Sequence, residues 1–168
     1  MIKISKANSN HVEGIVKVCT EGYWATYSDI YSREYIETVI RDFYNYERIL
    51  NEVIHLSKEW GGYFVALEND EVVVAGGGGM ISDTSGELFV IYLNPNRRNE
   101  GIGTLLLNAI TNQQKEFGAI EQWVSVQEGN HKGIPFYEAK GFQFQYEQKG
   151  YKNTEGKSYI SLRYKRQI

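Results

Sequence analysis

Apolar residues recur in two periods along this chain, and the switches between them mark out its elements. Residues 2–6 alternate weakly, as a short strand does. Asn8 and Ser9 then stand as a helix cap before Val12, Ile15, Val16 and Cys19, whose spacing predicts a helix to about Thr26. From Tyr35 to Leu56 apolar residues return every three or four positions behind a capping Ser32, which reads as one long or two shorter helices ended by Gly61-Gly62. "YFVALENDEVVVAGGGGMI" is two β-rich runs around the polar Glu68-Asn69-Asp70-Glu71, and "ELFVIYL" is a further strand. Ile102, Leu105, Leu106, Ala109 and Ile110 mark an amphipathic helix that stops near Gly118. "EQWVSVQ" returns to strand, and "KGIPFYEAKGF" is a short helix closed by Gly141 with Pro135 in its first turn. "FQFQYEQ" and "SYISLRYK" alternate with period two about the polar "KGYKNTEGK", as an antiparallel hairpin does.

The resulting order, β-α-α-β-β-β-α-β-α-β-β, mixes antiparallel meanders with two strand–helix–strand crossovers. It predicts a single α/β domain over residues 1–168: a mixed, mainly antiparallel sheet of six to seven strands with helices on both faces. Ligands of such sheets gather at strand C-terminal ends. The four glycines Gly76 to Gly79 interrupt a strand, which permits a bulge or a close backbone approach by a substrate or another strand.

Composition narrows the function classes. With 168 residues, 42% of them apolar and 23% charged, the chain can bury a core and is neither disordered nor fibrous. A formal charge of −3 lacks the basic stripe that would neutralise nucleic-acid phosphates, so a nucleic-acid partner is not expected. No window approaches the ~20 apolar residues of a membrane span, and the lone Cys19, on a helical apolar spacing, reads as buried core in a reducing compartment. The expectation is a soluble, cytoplasmic protein without a membrane partner. His11, His55 and His131 share no metal-ligand spacing, so no metal is expected. The 13 tyrosines are an excess that can serve as core or supply hydroxyls to a pocket.

The stretch "NPNRRNEGIGTLL" carries the clearest chemistry. A helix that starts after Arg98 has unsatisfied N–H groups and about +0.5 charge at its first turn. Gly101 and Gly103 let main chain approach phosphate oxygens, and Arg97 and Arg98 add positive charge. The competing explanation is that the glycines only ease a tight turn and the arginines are solvated. A dinucleotide fingerprint fails because its third glycine is Leu106, and a P-loop at Gly156-Lys157-Ser158 fails because the required earlier glycine is Tyr151.

Strand "ELFVIYLNP", Arg98-x-x-Gly101-x-Gly103 opening a Leu-rich helix, strand "WVSV", Asn130 and "PFYEAKGF" together resemble the GNAT superfamily of acetyl-CoA-dependent N-acetyltransferases. The resemblance covers nearly the whole chain and is weakest over residues 8–60. It implies that the amides of Arg98, Asn99, Glu100, Gly101, Ile102, Gly103 and Thr104 grip the coenzyme A pyrophosphate. It implies that strand residues up to Tyr92 and Leu93 pair with the pantetheine arm as an added strand would, and that the next strand splays away. Asn130 matches a position that often contacts the coenzyme.

The same resemblance implies roles in catalysis. An amine must lose a proton before attack, and Glu87 holds a position where some family members carry a glutamate base; ordered water with a backbone carbonyl could do the same work. A strand N–H near Leu93 would stabilise the carbonyl oxygen. Tyr137, four residues before Gly141, resembles the tyrosine that protonates the coenzyme thiolate; core packing is its alternative role. "EGYWATYSDIYSREYIE" mixes aromatic faces and carboxylates suited to a cationic amine, so Trp24, Tyr27 and Tyr31 are candidate substrate contacts. The arrangement looks loosely like bacterial polyamine-acetylating members. Acetylation of a protein amine, or a non-catalytic acyl-CoA-binding module, are the alternatives, and a homodimer is permitted.

Overall fold

The computed structural model describes residues 1–150 and 159–168. In chain order its elements are β1 (Ile2–Lys6), α1 (Val12–Tyr27), α2 (Arg33–Phe43), α3 (Tyr46–Ile54), β2 (Tyr63–Glu68), β3 (Glu71–Met80), β4 (Ser85–Leu93), α4 (Ile102–Glu116), β5 (Glu121–Gln127), α5 (Gly133–Ala139), β6 (Gln143–Lys149) and β7 (Ile160–Gln167). The long apolar period from Tyr35 to Leu56 therefore resolves into two helices. Ser32 caps α2 by accepting from the Tyr35 N–H, and Asn45, in extended conformation, caps α3 by accepting from the Arg48 N–H. An asparagine able to satisfy a helix start is what divides the run. Most of the "KGYKNTEGK" connection, including Gly156-Lys157-Ser158, lies outside the described residues.

The seven strands form one sheet in the order β1-β2-β3-β4-β5-β7-β6. Every neighbouring pair is antiparallel except β4–β5. That parallel pair holds only from Ser85–Glu121 to Leu88–Val124, although β4 runs on to Leu93 and β5 to Gln127. Beyond Leu88 and Val124 the two strands part, so the sheet carries a fork in its middle.

Helices cover both faces. On one, Ile102, Leu106 and Ile110 of α4 and Tyr137 of α5 pack against Leu88, Val124 and Tyr164. On the other, Val12, Ile15 and Cys19 of α1 and Ile49 of α3 pack on Val65 and Ala75. Each fully buried aliphatic side chain contributes roughly 1.5–3 kcal/mol of transfer free energy. Cys19 is buried, as its helical spacing predicts, and burial pushes its thiol up. A third cluster joins α1 and α2 through Tyr23, Tyr31, Tyr35, Ile36 and Val39.

The glycine run meets main chain rather than open space. A Cβ on Gly78 would lie 2.0 Å from the Glu87 carbonyl oxygen, and one on Gly79 would lie 2.0 Å from that of Glu59. Register shifts between Gly77 and Gly78: Gly77 opposes Val90 while Gly78 opposes Leu88. Phe89 is left as the extra residue of a β4 bulge, and its side chain is 49% exposed. Bulges re-aim the strand that carries them. Here the bulge sits at the point where β4 leaves β5.

Candidate functional site

The fork opens a cleft of about 490 Å³ that runs from the first turn of α4 to the last paired residues of β4 and β5. Its floor is β4 from Leu88 to Leu93, its far wall Val124, Ser125 and Val126, and its ends Gly22, Thr26 and Tyr27 of α1 and Phe136 and Tyr137 of α5. From Phe89 onward the main chain of β4 has no β5 partner, so its polar groups on that side are free to bind an extended ligand.

At the wide end, Arg98, Asn99, Glu100, Gly101, Ile102, Gly103 and Thr104 all line the cleft. Asn99 and Gly101 have φ of 64° and 77°, the left-handed region that bends the chain sharply into α4. Gly101 is the helix cap and offers no side-chain oxygen, so the N–H groups of the first turn stay open toward the cleft. A Cβ at Gly101 would meet nothing within 4 Å, which leaves room for a guest over the turn. The donor set fits a diphosphate.

The two arginines divide their work. Arg97 donates to Glu68 Oε1 and Oε2 at 2.6 and 3.1 Å, and to Glu100 Oε2 and Oε1 at 2.8 and 3.0 Å. Its guanidinium holds both carboxyls below their ordinary value. Arg97 thus ties the turn to the end of β2, and Arg98 is the arginine left for an anion.

Tyr137 lies against the cleft with 8% of its surface exposed, edge-on to Phe136 and Phe142. Burial, with a smaller push from Tyr27, raises its hydroxyl above the ordinary value of 10.0, so it holds its proton at neutral pH. Asn130 Oδ1 accepts from the main-chain N–H groups of Lys132 and Gly133, at 3.2 and 2.7 Å, and so fixes the entry to α5. Tyr27, Tyr92 and Asn130 all line the cleft, so α1, β4 and the approach to α5 converge there.

Glu87, the expected base, is held in an ion pair. Arg163 of β7 grips it in a bidentate pair, Nη1 to Oε2 at 2.7 Å and Nη2 to Oε1 at 2.9 Å, with the two side chains 11% and 12% exposed. Both carboxylate oxygens of Glu87 are engaged by the guanidinium, and Glu87 does not line the cleft.

Of the aromatic candidates, Tyr27 reaches the cleft. Tyr31 is buried among Tyr27, Tyr35 and Tyr159, with centroids 4.4–4.9 Å away, and Trp24 packs at the side of that cluster beneath the Arg33 guanidinium. Tyr31 stacks on Tyr27 from behind. Sequence reading missed Thr26, Phe89, Ser125 and Arg163. An arginine at a buried strand position, between Leu162 and Tyr164, was the available signal, since such a charge requires a partner. Among the described residues no group of three or more His, Cys, Asp or Glu is placed to hold a metal ion, and no helix is long and apolar enough to cross a membrane.

Comparison with known proteins adds to this geometry. Residues 19–142 match the model of the acetyltransferase (GNAT) family. A spermidine N(1)-acetyltransferase from Thermoplasma acidophilum is 30% identical over 159 residues, which span 95% of this chain and 94% of that protein. The crystal structure of PaiA N-acetyltransferase from the same organism, in complex with coenzyme A, superposes with a TM-score of 0.81 at 27% identity, covering 100% of this chain and 99% of that one. A probable acetyltransferase from Staphylococcus epidermidis shares the fold, with a TM-score of 0.78 at 16% identity.

Proposed function

We infer the acceptor from a firm premise: the chain belongs to the GNAT family of acetyltransferases, and it is an enzyme that moves an acetyl group from acetyl-CoA to an amine. The acceptor we propose is a polyamine of the spermidine class. One observation carries this reading: Tyr27 stands with Gly22 and Thr26 on the α1 wall of the cleft, and the tyrosine cluster of Tyr23, Tyr31 and Tyr35 packs behind it. Ring faces and neutral hydroxyls hold an alkylammonium by cation–π and hydrogen-bond contacts while leaving it able to shed a proton. Similarity to a spermidine N(1)-acetyltransferase supports the same choice.

In this reading the first-turn amides of α4 and Arg98 hold the diphosphate, and the unpaired edge of β4 up to Tyr92 and Leu93 lines up the arm. A β4 N–H donates to the carbonyl oxygen. Tyr137 gives its proton to the departing thiolate. With Glu87 committed to Arg163, water against a main-chain carbonyl takes the amine proton. A cytoplasmic setting is part of the proposal, supported by the need for acetyl-CoA and the lone buried cysteine.

The test is a panel of spermidine, spermine, putrescine, amino acids, aminoglycosides and peptides, read by release of free thiol from acetyl-CoA. Spermidine should exceed amino acids in kcat/KM by about tenfold or more, the scale of one good specificity contact. A preference for peptide N-termini or lysines would overturn the polyamine reading, and binding of acetyl-CoA with no turnover of any amine would point to a non-catalytic module.

A further inference from the structure

The buried Glu87–Arg163 pair stands at a particular place. Glu87 is one residue before the last β4 residue paired with β5, and Ser125 is the first β5 residue past that pairing. Arg163 lies opposite Ser125 in the β5–β7 register and donates to its Oγ at 2.8 Å from the same Nη1 that holds Glu87. One guanidinium thus ties β4, β5 and β7 together at the closed end of the fork. Trp123 of β5 lies under it, its ring centroid 5.1 Å from the guanidinium carbon, and Tyr146 of β6 stands opposite Arg163 in the β6–β7 register.

All of these side chains sit on the sheet face away from α4. Leu88, Val124, Val126, Leu162 and Tyr164 pack toward α4, so the alternate positions Glu87, Ser125 and Arg163 point the other way. On that face α1 packs against β3 and β4. With the diphosphate at the wide end of the cleft, the arm of the donor runs toward the closed end. Its acyl group then lies beside Phe89 and Ser125.

We propose that Arg163, held by Glu87 and holding Ser125, sets the width of this fork and thereby selects acetyl over longer acyl chains. The inference rests on the acetyl-CoA reading of the cleft and is independent of which amine accepts. Beside Ser125, an added methylene is accommodated by parting β4 from β5 or by turning Ser125 aside. The clamp opposes both, because either movement would pull a buried guanidinium away from a charged or hydroxyl partner. Arg163 is a positioning residue: it acts through the strands and Ser125.

The test compares acetyl-, propionyl- and butyryl-CoA as donors for the full chain, using whichever primary amine turns over and reading free thiol. The wild type should lose at least about tenfold in kcat/KM from acetyl to butyryl, the usual discrimination for extra methylenes. Arg163→Met should raise the butyryl-to-acetyl ratio about tenfold, and Glu87→Gln should move it the same way by less. Acetyl-CoA dissociation constants from calorimetry should stay close to wild type in both, since the diphosphate cradle is remote. Should Arg163→Met prove insoluble, Ser125→Ala, which removes only the hydroxyl at the rim, should shift the ratio in the same direction. Equal loss with all three donors, or a wild type that does not discriminate, overturns the clamp. If spermidine is inert and another amine is used, only the acceptor reading falls. If no amine is used, the same ranking is expected in thioester dissociation constants, and its absence overturns the clamp.

Discussion

Tyr137, Tyr27 and Glu87 were all visible in the sequence as side chains able to work on a proton or an amine, and their surroundings then sort them. Tyr137 is walled in by Phe136 and Phe142 and retains its proton, which suits a donor. Tyr137→Phe should therefore lower kcat by roughly 10²-fold, the scale of one general acid, with the KM for acetyl-CoA little changed. Steady-state kinetics on a good amine checks this, and an unaltered kcat would return Tyr137 to core packing. Tyr27 lines the cleft with Asn130 and Tyr92, so Tyr27→Phe should raise the KM for the amine several-fold more than it changes the KM for acetyl-CoA. Glu87 was legible as a carboxylate near the motif. That its charge is spent on Arg163 was not legible, because the partner is 76 residues away in sequence and only the β4–β5–β7 stacking brings it near.

Among the elements, strand and helix periods were read from the chain with few errors, because burial on one face writes its spacing directly into the residues. The run from Tyr35 to Leu56 left one long or two shorter helices open, because Asn45 starts a new helix without breaking the apolar period. Two glycines give opposite expectations. Gly78 sits in β3 against the Glu87 carbonyl, so Gly78→Ala forces β3 and β4 apart and should destabilise by about 1–3 kcal/mol in urea unfolding. Gly101 faces open space but has φ of 77°, so Gly101→Ala carries only backbone strain of about 1 kcal/mol. Its effect should appear as a higher KM for acetyl-CoA at nearly constant kcat, since the turn holds the diphosphate. An unchanged KM would separate Gly101 from the anion cradle.

At the scale of the whole molecule, the tyrosine cluster makes stability depend on alkali. Burial raises the hydroxyls of Tyr23, Tyr27, Tyr31 and Tyr92 above the ordinary value of 10.0. Above that pH the unfolded chain releases protons that the folded chain keeps, so this stabilisation is complete below about pH 10 and is lost as pH rises further. The urea midpoint should fall between pH 9 and pH 11, and a constant midpoint would show that the hydroxyls are not sequestered. Local pattern by itself determined the elements, the glycine turn at the start of α4 and its unsatisfied N–H groups, since these depend on neighbours a few residues away. Only tertiary structure decided that Gly76–Gly79 press against main chain, that β4 and β5 part after Leu88 and Val124, and that Arg163 spans the fork. Those features arise from strand order and from contacts across dozens of residues. A side chain's spacing along the chain records which face it buries, and it carries no record of the partner that will meet it there.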